Sequence, residues 1–165
     1  MNAKKTLLVC LWMGWTPVHA ETVKDFYEDG KLKSEASTKG KNLDGWAREY
    51  NEKGVLVWEG LYKDDQLNGE ARGYDSSGKL SWTMQYKDDR LDGKAKGYYE
   101  SGALCWEMMY KGGKANGKSR AFYENGGLWK EMSYKGGKLD GIVKVYDGKN
   151  LLRKSKFRSG VREKP

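Results

Sequence analysis

The chain of 165 residues contains one histidine (His19), two cysteines (Cys10 and Cys105) and two prolines. Each scarcity removes a class of chemistry or structure. Once His19 and Cys10 leave with the export signal expected below, no histidine and one thiol remain, and Ser-His-Asp and Cys-His catalysis, Cys/His zinc sites and thioredoxin-like redox pairs all lack their parts. No proline stands between residues 18 and 164, so an uninterrupted hydrogen-bonded ladder can run through that whole stretch. Long hydrophobic runs are also missing. The apolar stretch from Leu7 to Trp15 is shorter than the ~20 residues a membrane-spanning helix needs.

Glycine, aromatics and positive charge are abundant: 22 Gly, 7 Trp, 11 Tyr and 3 Phe, with a formal charge of +8. The length is that of a single ordinary domain. The aromatic share allows apolar burial despite the polar average, which excludes disorder throughout. Net positive charge favours acidic partners or anionic surfaces and is silent about fold.

The N-terminus has the layout of an export signal. Lys4 and Lys5 precede the apolar core, and Thr16-Pro17-Val18-His19-Ala20 places small residues before a cut after Ala20. Residues 1–20 are therefore expected to be a signal peptide, and the remainder to be periplasmic or secreted. Without Lys4 and Lys5, 29 basic residues face 23 acidic ones, a net charge of +6. Cys105 then has no partner within the chain, which leaves either a buried, inert thiol on a strand or pairing between chains.

Self-comparison reveals a period of 24 residues. Gly45, Gly69, Gly93, Gly117 and Gly141 recur at that interval, each preceded by Asx: Asp44, Asn68, Asp92, Asn116 and Asp140. Tyr50, Tyr74, Tyr98, Phe122 and Tyr146 keep the same register, as do Gly54, Gly78, Gly102 and Gly126. Leu56, Leu80, Leu104, Leu128 and Leu152 form the next column, and Tyr62, Tyr86, Tyr110 and Tyr134 close each unit. The copies fall near 45–68, 69–92, 93–116 and 117–140. Degenerate caps lie at 21–44 and 141–165, so residues 21–165 form one repeat domain.

Within each copy the local period is two. Leu80, Trp82, Met84 and Tyr86 alternate with Lys79, Ser81, Thr83 and Gln85, the pattern of a half-buried strand. Glu100-Ser101-Gly102 reads as a turn, and Asn68-Gly69 and Asp92-Gly93 as tight reversals between hairpins. The expected fold is all-β: an elongated single antiparallel meander of 24-residue hairpins. At ~10 Å per two-stranded copy, six copies make a sheet roughly 60 Å long. Polar terminal copies are expected to stop it from growing onto another chain.

The pattern Gly-x-x-x-x-Tyr/Phe-x-x-x-Gly-x-Leu-x-x-x-x-x-Tyr followed by Asx-Gly resembles MORN-type repeats. It is most similar to the bacterial variant grouped as the YwqK antitoxin family. The resemblance covers about residues 24–160 and departs from the eukaryotic form, which starts near Tyr-x-Gly-x-Trp. It implies an elongated sheet used for binding, with associations elsewhere to phospholipid docking or protein scaffolding. The antitoxin label implies a toxin as partner. No catalytic motif comes with the resemblance, and no catalytic, cofactor or metal-binding residue is assigned.

Two sets of columns are candidates for a binding surface. Arg48, Arg72, Lys96, Arg120 and Lys144 form a cationic column, with Lys63, Lys87, Lys111 and Lys135 as a second. They read either as solvated faces copied by duplication or as a basic ribbon for an acidic protein, anionic lipid or envelope polymer. Glu59, Glu107 and Glu131, with Asp64, Asp65, Asp88 and Asp89, supply local counter-charges. Trp58, Trp82 and Trp106, with Tyr62, Tyr86 and Tyr110, read either as core filler or, on a one-layer sheet, as open anchors for a protein or sugar rings. Trp46 and Trp129 lie outside that register. Nucleic acid fits less well, because an exported protein rarely meets it. Paired-carboxylate hydrolysis finds no unique acidic cluster in any copy. The sequence therefore points to a non-catalytic exported repeat protein that binds another protein as an antitoxin or immunity-like factor. Peripheral attachment to an anionic membrane or envelope polymer is the alternative.

Overall fold

The computed structural model describes residues 20–164; the segment expected to be an export signal, residues 1–20, lies outside them apart from Ala20. Strands β1 (Ala20–Phe26), β2 (Leu32–Lys39), β3 (Asn42–Tyr50), β4 (Leu56–Lys63) and β5 (Gln66–Tyr74) lead into β6 (Leu80–Lys87) and β7 (Arg90–Tyr98). Then come β8 (Leu104–Lys111), β9 (Lys114–Phe122), β10 (Leu128–Lys135), the short β11 (Lys138–Leu139), β12 (Gly141–Asp147), β13 (Asn150–Arg158) and β14 (Val161–Arg162). All belong to one antiparallel sheet in which each strand pairs with its sequence neighbour, except that β10 pairs with both β11 and β12. No helix occurs among the described residues. The expected single meander is the observed fold.

The two long edges are turned differently. On one, two-residue reversals at Asp64-Asp65, Asp88-Asp89, Gly112-Gly113 and Gly136-Gly137 have positive φ at both positions, the geometry that matches strand twist. On the other, five-residue loops such as 51–55 and 75–79 join the strands. Each is closed by hydrogen bonds of the kind Gly78 N to Asp75 O, 3.0 Å. The C-terminal copy drops this loop: Asp147 pairs directly with Asn150 around Gly148-Lys149, which shifts the spacing after Tyr146.

The Asx-Gly dipeptides are not the reversals that the sequence suggested. Asn68-Gly69 lies inside β5, at a bulge where Asn68, Gly69 and Glu70 together face the single residue Leu61. Gly69 has φ +130°, and a Cβ there would approach the Leu61 Cδ2 to 2.8 Å, so both conformation and space require glycine. The Asx side chains brace the next reversal. Asp92 Oδ2 accepts from Gly112 N at 3.0 Å and Asp140 Oδ2 from Ser159 N at 3.1 Å. At the aspartate turns the brace runs both ways: Asp65 N donates to Leu43 O at 3.0 Å, and Leu43 N to Asp65 Oδ1 at 2.7 Å.

The sheet is one layer thick. The buried hydrophobic residues are Ala36, Ala71, Ala95 and Val143, and no large side chain is fully buried. Ala36, Ala71 and Ala95 lie in one row across the middle of one face, Ala36–Ala47–Gly60–Ala71–Met84–Ala95–Met108–Ser119, where partner strands pair them directly. Flanking aromatics lean over that row, so burial comes from neighbours on the same face.

Candidate functional site

The proposed aromatic residues share that face. Trp58, Trp82, Trp106, Tyr62, Tyr86 and Tyr110 are all half-buried: the sheet covers part of each ring, and no second layer covers the rest. Their seats are glycines. Gly73 on β5 stands opposite Trp82, and a Cβ on it would overlap the indole; Gly97 on β7 serves Trp106 in the same way. Glu49 occupies the corresponding position for Trp58. That indole folds along its own strand instead, within 2.6 Å of where a Gly60 Cβ would sit, and meets the Tyr62 ring edge-on at 6.3 Å. In the next copy Lys130 fills the tryptophan slot opposite Ala121. Burial pushes the Tyr62 and Tyr86 hydroxyls above the ordinary phenol range.

Arg48, Arg72, Lys96, Arg120 and Lys144 lie on the opposite face. They form a row with one residue from each of twelve strands: Lys24, Glu35, Arg48, Glu59, Arg72, Thr83, Lys96, Glu107, Arg120, Glu131, Lys144 and Lys154. Cation and carboxylate alternate along most of it. Arg48 contacts Glu35 and Glu59 at 3.3 Å each, and Arg72 meets Glu59 at 3.0 Å. Arg120 meets Glu107 at 3.3 Å and Glu131 at 3.7 Å, and Lys144 meets Glu131 at 3.4 Å. The cationic column is thus largely neutralised in place.

Glu59 is the tightest node, only 6% exposed. Burial alone would raise its pKa, but hydrogen bonds from Tyr74, Arg48 and Arg72 outweigh burial and hold the carboxyl below its usual range. Tyr74 Oη donates to Glu59 at 2.8 Å, and Tyr50 Oη donates to Glu35 at 3.0 Å. These bonds give Tyr50 and Tyr74 of the first tyrosine column a structural role.

The second cationic column behaves differently. Lys87 faces Arg90, Lys111 faces Lys114 and Lys135 faces Lys138 beside the two-residue turns, all exposed and without an ion pair among the described residues. Asp88-Asp89 lies between the first pair, and glycines lie between the other two. Unpaired positive charge therefore gathers along the C-terminal half of this edge.

The sequence match comes at the level of these modules. Residues 22–39, 67–88, 91–111 and 115–135 match the MORN repeat variant. The chain thus carries four segments similar to the MORN repeat variant. The degenerate first module is among the matched segments, and the matched repeats are β-hairpins of the meander. No curated protein matches the chain. Among solved structures, it is similar to an S. aureus TarM mutant crystallised in complex with Fondaparinux, alpha-GlcNAc-glycerol and UDP. That likeness has 13% identity over 58% of this chain and 19% of that one, with a TM-score of 0.40. It is also similar to the GtfA/B complex bound to UDP and GlcNAc, with 14% identity over 88% of this chain and 26% of that one, at a TM-score of 0.30. The chain thus spans about a fifth and a quarter of those two proteins.

Glu59, Glu107 and Glu131, expected as counter-charges, pair with the cationic column, and Glu35 extends them on the 24-residue spacing with Thr83 in the gap. The glycine seats were missed in the sequence although they are periodic: Gly73 and Gly97 precede Trp82 and Trp106 by nine residues. Trp46 and Trp129, outside the tryptophan register, sit elsewhere. Trp46 carries the Arg72 guanidinium 5.7 Å from its ring centroid, and Trp129 tilts against Tyr123. Cys105 is half-buried on β8, with no disulfide among the described residues.

Proposed function

We propose that this chain is a non-catalytic, exported binding protein whose ligand is another protein, held against the aromatic face. The observation that carries this reading is the row of half-exposed Trp58, Trp82 and Trp106 seated on a one-layer sheet. Large rigid rings already ordered by their seats cost little further entropy on binding and make effective anchors. The resemblance to the antitoxin-labelled group extends the proposal to an immunity-like factor against a toxin that acts in the envelope.

The test is capture of envelope proteins by the immobilised full chain and by its Trp82→Ala/Trp106→Ala variant. A protein retained by the first and lost from the second, and toxic to cells lacking this chain, supports the proposal. Equal retention by both overturns the aromatic face as the binding surface.

A second reading has its own support. The unpaired Lys111, Lys114, Lys135 and Lys138 edge favours attachment to an anionic membrane or envelope polymer. Retention on anionic vesicles that disappears by ~0.3 M salt would support it.

A further inference from the structure

The tryptophan row does not end with its rings. From Trp82 it runs through Gly97, Trp106 and Ala121 to Lys130, and Arg153 lies in the same row two strands further on. Neither cation has an ion pair among the described residues. Trp58 turns along its own strand toward Tyr62 and leaves the series. Trp82 and Trp106 keep it: each indole leans onto the strand before its own, over the buried Gly73 and Gly97. The two rings are therefore overlapping steps ~10 Å apart, two strand spacings, and Lys130 stands one further step along. Glycine on β7 and alanine on β9 add no large side chain to the intervals.

That interval selects the shape of a ligand. A polyproline II helix rises about 3.1 Å per residue with about three residues per turn, so one turn spans ~9 Å, close to one step. A bound strand repeats its side chains on one face every ~7 Å, and an α-helix turns every ~5.4 Å. Successive repeats of either miss successive rings. The polyproline form is also set before binding, so it docks on aromatic side chains with little loss of entropy.

We propose that this row takes a proline-rich segment of a partner protein in the polyproline II conformation. Prolines three residues apart stack on Trp82 and Trp106, and a carboxylate one turn further meets Lys130. The rings supply most of the attachment, and the unpaired Lys130 ammonium selects the register, with Arg153 extending the preference for acid. The inference rests on reading the aromatic face as a protein-binding surface and names the segment that surface holds.

The probe is a labelled, end-capped peptide with two prolines three residues apart and a Glu three residues beyond, made in both chain directions. A second pair carries Lys for Glu, and a third carries Ala for both prolines. Binding to the full chain is followed by fluorescence anisotropy, and folding of each variant by circular dichroism.

In the direction that binds, the Glu peptide is expected to bind about fivefold more tightly than its Lys counterpart, and Lys130→Glu to reverse that order. The Ala peptide and the Trp106→Ala variant should each lose about tenfold or more. Equal affinity for the Glu and Lys peptides, or for the Pro and Ala peptides, overturns the proposal. Both comparisons use the wild-type chain, so they decide even if Trp106→Ala fails to fold. Binding that survives in a folded Trp106→Ala also overturns it. So does retention of polygalacturonate that needs Trp106 when no peptide binds, since the row would then belong to a sugar polymer. If capture of an envelope protein depends on Trp82 and Trp106 but no proline peptide competes with it, this inference fails and the protein-binding reading stands. If capture ignores both tryptophans, the two fail together.

Discussion

The Trp82 indole lies on Gly73, the residue that faces it across the β5–β6 ladder, and the space it occupies is where a Gly73 side chain would be. Gly73→Ala must therefore displace the ring. The expected cost is about 1–3 kcal/mol, as for overpacking elsewhere, with a shift in tryptophan emission as the indole becomes more exposed. In Gly73→Ala/Trp82→Ala the two effects are coupled. Chemical denaturation of both single variants and the double variant checks this, and strict additivity would deny the contact.

Glu59 joins three strands through Arg48, Arg72 and Tyr74, and its pKa in the folded chain lies below the ordinary 4.5. A carboxylate with a depressed folded pKa contributes stability that is fully present above the unfolded value. That contribution is lost as pH falls through the folded value. The midpoint of urea unfolding should therefore decline below pH 4.5, and Glu59→Gln should flatten that decline. At neutral pH the same substitution should cost about 1–3 kcal/mol, because the neutral amide pairs less well with the two guanidinium groups.

The strands, their alternation and the meander were legible in the sequence because each copy repeats the same period-two pattern, as in Leu80, Trp82, Met84 and Tyr86. Two features were not. Asn68-Gly69 looked like a reversal because tight turns and bulges both demand positive φ. Only the pairing of Gly60 with Ala71 and Tyr62 with Leu67 shows which one the dipeptide serves. The counter-charges of the cationic column were expected, but which acid meets which cation needed cross-strand register too. Arg72 and Glu59 are 13 residues apart in sequence and become neighbours only once the 64–65 turn closes β4 onto β5.

The turns offer a finer test. Asp64 and Asp65 both have positive φ, 48° and 66°, but only Asp65 hydrogen-bonds back to Leu43. Asp64→Gly should raise stability by roughly 0.5 kcal/mol, since the relief of a left-handed backbone exceeds the added chain entropy. Asp65→Gly relieves the same strain but loses the bond to the Leu43 N–H, a loss of about 1 kcal/mol. Thermal melts should place the two variants on opposite sides of the wild type. If both were stabilised, the brace between successive turns would carry no weight.

Lys111 against Lys114 and Lys135 against Lys138 are like charges held in direct register beside glycine turns that supply no counter-charge. Directly opposed like charges cost a few tenths to about 1 kcal/mol per pair, so this edge is less stable than it could be. Lys114→Glu/Lys138→Glu should therefore raise the unfolding midpoint at low ionic strength, and the gain should shrink in salt as screening weakens the original repulsion. The same double variant separates the two functional readings. If the edge attaches to anionic vesicles, stability rises while vesicle retention falls, and the repulsion is the cost of a surface kept positive for a ligand. If the aromatic face alone binds, stability rises and capture of the protein partner is unchanged.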